Sequence, residues 1–98
     1  MKFKFGNVIK DDLVNIETPF LVEEDFLTED LFQLQYKDGL LGLDVGWYNK
    51  EFGDCFTISI IENFDWDTPL YSIDVFDKSL LRQSFLVALN IFYGYIEK

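Results

Sequence analysis

Residues 31–48 read LFQLQYKDGLLGLDVGWY, and this stretch decides the fold. Apolar and polar side chains alternate over 31–36 and again over 41–48, which is the period of a half-buried β-strand. Asp38-Gly39 lies between the two runs and is a strong hairpin signal, because glycine adopts positive φ readily. We therefore predict two antiparallel strands, with Trp47 on the apolar face and Asp44 and Tyr48 on the opposite face.

The sequence on both sides of this hairpin carries further strand signals. Residues 56–62 and 70–76 alternate in the same way and predict two more strands, the first of them preceded by a turn at 49–54. Residues 1–10 are compatible with a short edge strand, and residues 23–30 with a short helix.

The C-terminal part of the chain predicts a long helix over residues 78–96. Asp77 has the side chain of an N-cap, because its carboxylate can accept hydrogen bonds from the free N–H groups of the first turn. Helical spacing gives a core face that consists of Leu81, Phe85, Ala88, Leu89, Phe92 and Ile96. The other faces are also apolar, so either the N-terminal segment or another subunit must cover them, and we favour the N-terminal segment.

Length and composition place these elements in a single domain over residues 1–98. Eleven Phe, five Tyr and two Trp supply enough apolar surface for a compact core. We predict an α+β fold in which an antiparallel meander of about four to five strands carries the long C-terminal helix on one face.

The charge is strongly acidic and unevenly distributed. The net charge is −10, and residues 11–77 hold 17 of the 18 acidic residues but only two of the eight basic ones. Such a field repels nucleic acid and anionic membranes, and it attracts a basic surface. The alternative interpretation is that the acidity only keeps an apolar domain soluble.

Several kinds of chemistry are excluded or disfavoured by the residues present. The chain has no histidine and one cysteine, Cys55, so His-based nucleophile arrangements, disulfides within the chain and Cys/His zinc sites are ruled out. Asp54, Glu62, Asp65 and Asp67 could in principle act as paired carboxylates, but nothing places them in a cleft, and a calcium-loop pattern counted from Asp65 fails. We expect no enzyme activity, no cofactor and no metal.

No apolar run reaches the length of a signal peptide or of a membrane span. We therefore expect a soluble cytoplasmic protein that binds neither nucleic acid nor a membrane directly.

Two surfaces are candidates for binding a protein partner. In the loop before Pro69, Trp66 lies between two carboxylates and near a third, and interface hot spots favour tryptophan. The alternative is that Trp66 folds back over the sheet edge as a lid. The second surface is the sheet face away from the helix, which carries Ser72 beside other polar residues. The candidate partner-binding residues are Asp44, Tyr48, Asp54, Glu62, Asp65, Trp66, Asp67 and Asp74.

Three motifs resemble one group of bacterial proteins. They are the strand end Gly46-Trp47-Tyr48, the turn Phe52-Gly53-Asp54 before an Ile-rich strand, and the loop Trp66-Asp67-Thr68-Pro69. Together with the architecture, they resemble the immunity proteins of polymorphic toxin systems, of the contact-dependent growth inhibition type. The resemblance implies a protein that binds and neutralises a toxin domain. Many such toxins are basic RNases or DNases, because they must grip phosphates.

Two other functions stay open at this point. The chain could be a phage-type nucleic-acid mimic that inhibits a DNA-binding protein. It could also be a non-catalytic oligomeric accessory domain, for example a homodimer formed through the apolar C-terminal helix.

Overall fold

The computed structural model describes residues 3–11, 31–50 and 53–97, which form five β-strands and one α-helix. The strands pair only with their neighbours in the chain, all antiparallel, in the order β1-β2-β3-β4-β5. This is the predicted meander with a helix packed on it, so the α+β fold is confirmed. The bounds are β1 Asn7–Asp11, β2 Phe32–Tyr36, β3 Leu41–Lys50, β4 Gly53–Glu62, β5 Tyr71–Val75 and α1 Leu81–Ile96.

The first hairpin turns at the predicted dipeptide. Asp38 and Gly39 have φ values of 55° and 97°, and the N–H of Leu40 donates to the carbonyl of Lys37 over 3.2 Å. Both central residues are left-handed, as a tight hairpin that matches the strand twist requires.

The second hairpin differs from the sequence expectation. The predicted turn at 49–54 is too long, because β3 and β4 continue their pairing to Asn49↔Asp54 and Lys50↔Gly53. A strand ladder is made of main-chain groups, so polar side chains at its end do not stop it. The predicted helix at 23–30 lies outside the described residues.

The core lies between α1 and one face of the sheet. The alternating side chains meet in rows across the strands, for example Leu34, Leu43 and Ile60. Phe32 and Phe85 are fully buried and meet edge to face, with their ring centroids 5.3 Å apart. The apolar side chains of the alternating pattern thus face α1, as predicted. The face away from α1 carries Gln33, Gln35, Gly42, Asp44, Thr57, Ser59 and Ile61.

The helix begins as predicted, with one refinement. Asp77 accepts hydrogen bonds from the backbone N–H of Ser79 over 3.0 Å and from its hydroxyl over 2.8 Å. These bonds hold the pKa of Asp77 below its ordinary value. The first turn, Lys78–Leu80, is a 3₁₀ helix that leads into α1. The predicted core face is buried from Leu81 to Phe92, while Ile96 is partly buried.

The N-terminal segment covers one side of α1, as the sequence favoured. The ring of Phe3 lies 5.5 Å from that of Phe32, and the ring of Phe5 lies 5.7 Å from that of Tyr93. The backbone N–H of Lys4 donates to the Tyr93 hydroxyl, and its ammonium pairs with Glu97 at 2.9 Å. No helix within the described parts of the chain is long and apolar enough to cross a membrane.

Candidate functional site

The last residue of β4 and most of the connection to β5 form an exposed aromatic loop, residues 62–68. It starts with a tight turn in which the N–H of Asp65 donates to the carbonyl of Glu62 over 3.0 Å. The two central residues, Asn63 and Phe64, have φ values of 52° and 60°. A left-handed phenylalanine is uncommon, and such backbone outliers are concentrated at functional sites.

Phe64 holds this conformation because it joins the aromatic loop to the first hairpin. The N–H of Asn63 donates to the carbonyl of Leu40 over 3.2 Å. The ring of Phe64 lies directly on Gly39, where a Cβ atom would overlap it. Two features therefore require glycine at position 39, namely the φ of 97° and the Phe64 ring that lies on it. Phe64 nevertheless remains 57% exposed.

Asp65 organises the second half of the aromatic loop. One carboxylate oxygen accepts hydrogen bonds from the backbone N–H groups of Asp67 and Thr68, at 3.2 and 3.3 Å. The other accepts the Thr68 hydroxyl at 2.6 Å. The Thr68 hydroxyl above all, with help from the two N–H groups, holds the pKa of Asp65 below its ordinary value. Asp65 thus fixes the loop and stays ionised.

Trp66, Glu62 and Asp67 are the side chains that this framework displays. Trp66 is 53% exposed, and both carboxylates are exposed beside it. Trp66 also lies along the sheet face away from α1, where it lines a groove together with Phe64 and Ile61. Trp66 therefore lines the groove at the sheet face while about half of its side chain remains exposed.

The groove between the aromatic loop and the sheet, here called the loop–sheet groove, has a polar floor. In the sheet register, Gly42 lies between Gln35 and Ile61, and Asp44 lies beside Gln33. Because Gly42 has no side chain, a gap opens under the two aromatic rings. The groove comprises about 310 Å³, including the part open to solvent. Among the described residues, its lining consists of Gln33, Leu34, Gln35, Gly39, Gly42, Leu43, Asp44, Ile61, Phe64 and Trp66.

The sheet face away from α1 is less open than the sequence suggested. Asp44 is only 5% exposed, and Thr57 and Ser59 beside it in the register are also buried. Alternation tells which face a side chain takes, but it does not tell how deeply that face is covered. Asp74 is exposed at the edge strand, where it accepts the Thr57 hydroxyl at 2.7 Å.

The eight candidate residues therefore do not form one site. Glu62, Asp65, Trp66 and Asp67 cluster in the aromatic loop. Tyr48 and Asp54 lie at the other end of the β3–β4 hairpin, and the eight steps of strand from Asp54 to Glu62 span roughly 26 Å at about 3.3 Å per residue. Asp44 and Asp74 lie between these ends.

The carboxylates of the aromatic loop are not neutralised by the described lysines and arginine. Between described side chains, the one ion pair is that of Lys4 with Glu97, and it lies at the helix end. Among the same residues, no three carboxylates or thiols are grouped so that they could hold a metal ion. The exposed charge of Glu62 and Asp67 is therefore directed to solvent or to a partner.

Sequence reasoning missed the loop–sheet groove and the role of Phe64. The alternation already placed Gln33, Gln35 and Gly42 on one face, so a search for glycine in the middle of that face could have located the groove. The left-handed backbone of Phe64 has no such signal, because it depends on Gly39 in a distant turn. Comparisons with protein-family models, with curated proteins and with solved structures find no match to this chain.

Proposed function

We propose that this chain is an immunity protein that binds a basic toxin domain of the RNase or DNase class and blocks it. The observation that carries the proposal is the aromatic loop, in which a half-exposed Trp66 lies between exposed carboxylates that no described basic side chain neutralises. The aromatic loop offers the two features that favour a protein interface. Trp66 can serve as an apolar anchor, and the carboxylates can steer a basic partner.

The rigidity of the aromatic loop favours tight binding. Association costs free energy for every side chain and loop that must become ordered. Here the tight turn at Asn63 and Phe64 and the hydrogen bonds to Asp65 already fix the backbone that carries Trp66. The free energy gained when Trp66 is buried is then not spent on ordering the loop.

The charge suits a nuclease in particular. A nuclease exposes lysine and arginine side chains because it must bind phosphates. A net charge of −10 increases the encounter rate with such a surface and repels the nucleic acid that competes for it. The proposal includes a cytoplasmic location, where nuclease substrates occur and where a lone thiol such as Cys55 stays reduced.

The test starts from the protein that the neighbouring gene encodes. We expect the C-terminal domain of that protein to be the toxin. The purified toxin domain is assayed for nuclease activity with and without this protein, and the affinity is measured by calorimetry. We expect stoichiometric inhibition, and Trp66→Ala should weaken binding by at least about 30-fold, the loss of a hot spot worth about 2 kcal/mol.

Asp54→Asn is the matched control, because it removes an exposed carboxylate at the far end of the hairpin. It should change the affinity less than Asp67→Asn, which removes the same charge inside the aromatic loop. Equal effects of the two substitutions would place the contact elsewhere. A neighbouring domain that neither binds nor is inhibited would overturn the proposal.

Self-association is a second candidate function, and one specific observation favours it. Phe76, Leu80 and Val87 are large apolar side chains that remain about half exposed, the first two before α1 and the third in its first half. Such side chains mark an interaction surface when they are contiguous. Sedimentation at micromolar concentration distinguishes the two candidates, since a clean monomer would remove this one. Self-association must also overcome the repulsion between two strongly acidic copies.

A further inference from the structure

We propose that the loop–sheet groove receives one arginine side chain of the basic partner. The inference rests on the proposed function and deepens it, because it assigns the partner's contact group and the place where that group binds. The observation behind this inference is the lining of the groove, in which two aromatic rings, a glycine and a buried carboxylate occur together.

The walls of the groove suit a planar cation. Phe64 and Trp66 line the groove and are each about half exposed. A guanidinium group stacks on aromatic faces and is attracted by their negative π-systems, most strongly by tryptophan. The more strongly hydrated and compact ammonium of lysine gains less from such a site.

The floor of the groove suits the same cation. Asp44 contributes a carboxylate that is 5% exposed, and Gln33 and Gln35 contribute amide oxygens. A carboxylate offers about four acceptor sites, so an interaction of Asp44 within the protein leaves capacity for a guanidinium donor.

The dimensions of the groove limit the occupant to one side chain. Its space of about 310 Å³ includes the part open to solvent, so the enclosed part is far smaller than the pockets of about 300 Å³ or more that enclose small molecules. An anion is disfavoured, since Asp44 lines the groove. Glu62 and Asp67 add negative charge, because each directly follows a lining residue in the chain. A single guanidinium head on an extended aliphatic stem satisfies both the size and the charge.

The first experiment uses a simple probe, N-acetyl-arginine amide, added to the isotope-labelled full chain at constant ionic strength. We expect chemical-shift changes at the Trp66 indole N–H and at the side-chain amides of Gln33 and Gln35, with a millimolar Kd. The citrulline analogue has the same shape without the charge and should bind at least tenfold more weakly. The lysine analogue should be intermediate. Equal shifts from all three compounds, or shifts away from the groove, would overturn the inference.

The second experiment fills the groove from its floor. Gly42→Val adds a side chain where a Cβ atom meets only ordinary contacts, the nearest being the Leu34 carbonyl oxygen at 3.7 Å. We expect the arginine probe to lose at least tenfold in affinity while the thermal unfolding midpoint does not fall. Trp66→Ala should give a similar loss, and Asp44→Asn should remove the preference for arginine over citrulline. Gly94→Ala is the control, because that position on α1 is open and remote from the groove.

The two proposals fail in different ways. If the neighbouring toxin is inhibited but Gly42→Val binds it as tightly as the wild type, the arginine site is wrong and the immunity function stands. If the arginine probe binds in the groove but the toxin is not bound, the immunity function is wrong and the site stands. In the toxin complex, replacing the contacting arginine by lysine should weaken binding at least tenfold.

Discussion

At the residue scale, three glycines of the described chain differ in what a methyl group would meet. A Cβ at Gly42 would meet only ordinary contacts and φ is not positive there, Gly53 has open space but a φ of 119°, and Gly39 has both a φ of 97° and the Phe64 ring in its way. The three sites therefore separate the free-energy terms of a Gly→Ala substitution. These terms are chain entropy, backbone strain and steric overlap.

We expect the three substitutions to change the free energy of unfolding in a fixed order. Gly42→Ala should stabilise the fold by about 0.4–1 kcal/mol, because it reduces the entropy of the unfolded chain without strain. Gly53→Ala should destabilise it by about 1–2 kcal/mol, the cost of a left-handed residue with a Cβ. Gly39→Ala should cost more than Gly53→Ala.

Urea denaturation of the single variants and of Gly39→Ala/Phe64→Ala checks this order. In the double variant the overlap is gone, so its loss should be smaller than the sum of the two single losses, by more than about 0.5 kcal/mol. Additive losses would show that the Phe64 ring does not press on Gly39.

At the element scale, the strands and the helix were predictable because each has a periodic signal. The alternation over 31–36 and 41–48 gave β2, β3 and their turn, and helical spacing gave the buried face of α1. The failures lie where no period exists. The β3–β4 hairpin was predicted too short, because main-chain pairing does not depend on apolar side chains.

The candidate site was predictable only in part, for the same reason. The order of residues before Pro69 marked Glu62, Asp65, Trp66 and Asp67 as a group, and they lie together in the aromatic loop. It could not show that Asp65 binds the following residues of the loop, since that depends on the Thr68 hydroxyl and on two backbone N–H groups. It also could not show that Asp44 is buried, because burial depends on what lies above the sheet.

We expect the contribution of the aromatic loop to the free energy of unfolding to depend on pH. The pKa of Asp65 is lowered in the folded protein, so its contribution to stability is present above the unfolded pKa of about 3.9 and is lost as the pH falls through the folded pKa. Thr68→Val removes the main cause and should raise the pKa of Asp65 towards its ordinary value. The stability difference between wild type and Thr68→Val should then be larger at neutral pH than in acid.

Carboxyl chemical shifts followed through an acid titration measure this pKa directly. Ser79→Ala is the matched control, because it keeps the backbone N–H that lowers the pKa of Asp77 most, removes the hydroxyl that lowers it further, and leaves the aromatic loop intact. It should move the titration of Asp77 and not that of Asp65. An unchanged Asp65 titration in Thr68→Val would show that the hydroxyl does not hold the carboxylate.

At the scale of the whole molecule, the same charge acts on folding and on binding with opposite signs. A net charge of −10 repels itself in the compact state, and between described side chains only Lys4 and Glu97 form an ion pair that salt could weaken. Screening should therefore stabilise the folded chain. Attraction to a basic partner is a favourable charge interaction, so the same screening should weaken binding.

We expect the urea midpoint to rise between about 0.05 and 0.5 M sodium chloride, over which the Debye length falls to less than half. Urea is the denaturant of choice because guanidinium is itself a salt, and chloride avoids the general stabilisation by sulfate. Over the same range the affinity for the toxin domain should fall, and Asp67→Asn should reduce both salt dependences by removing one charge. A midpoint that fell with salt would mean that attractive pairs outweigh the repulsion. The acidic surface would then serve the fold, and its complementarity to a basic partner would lose its physical basis.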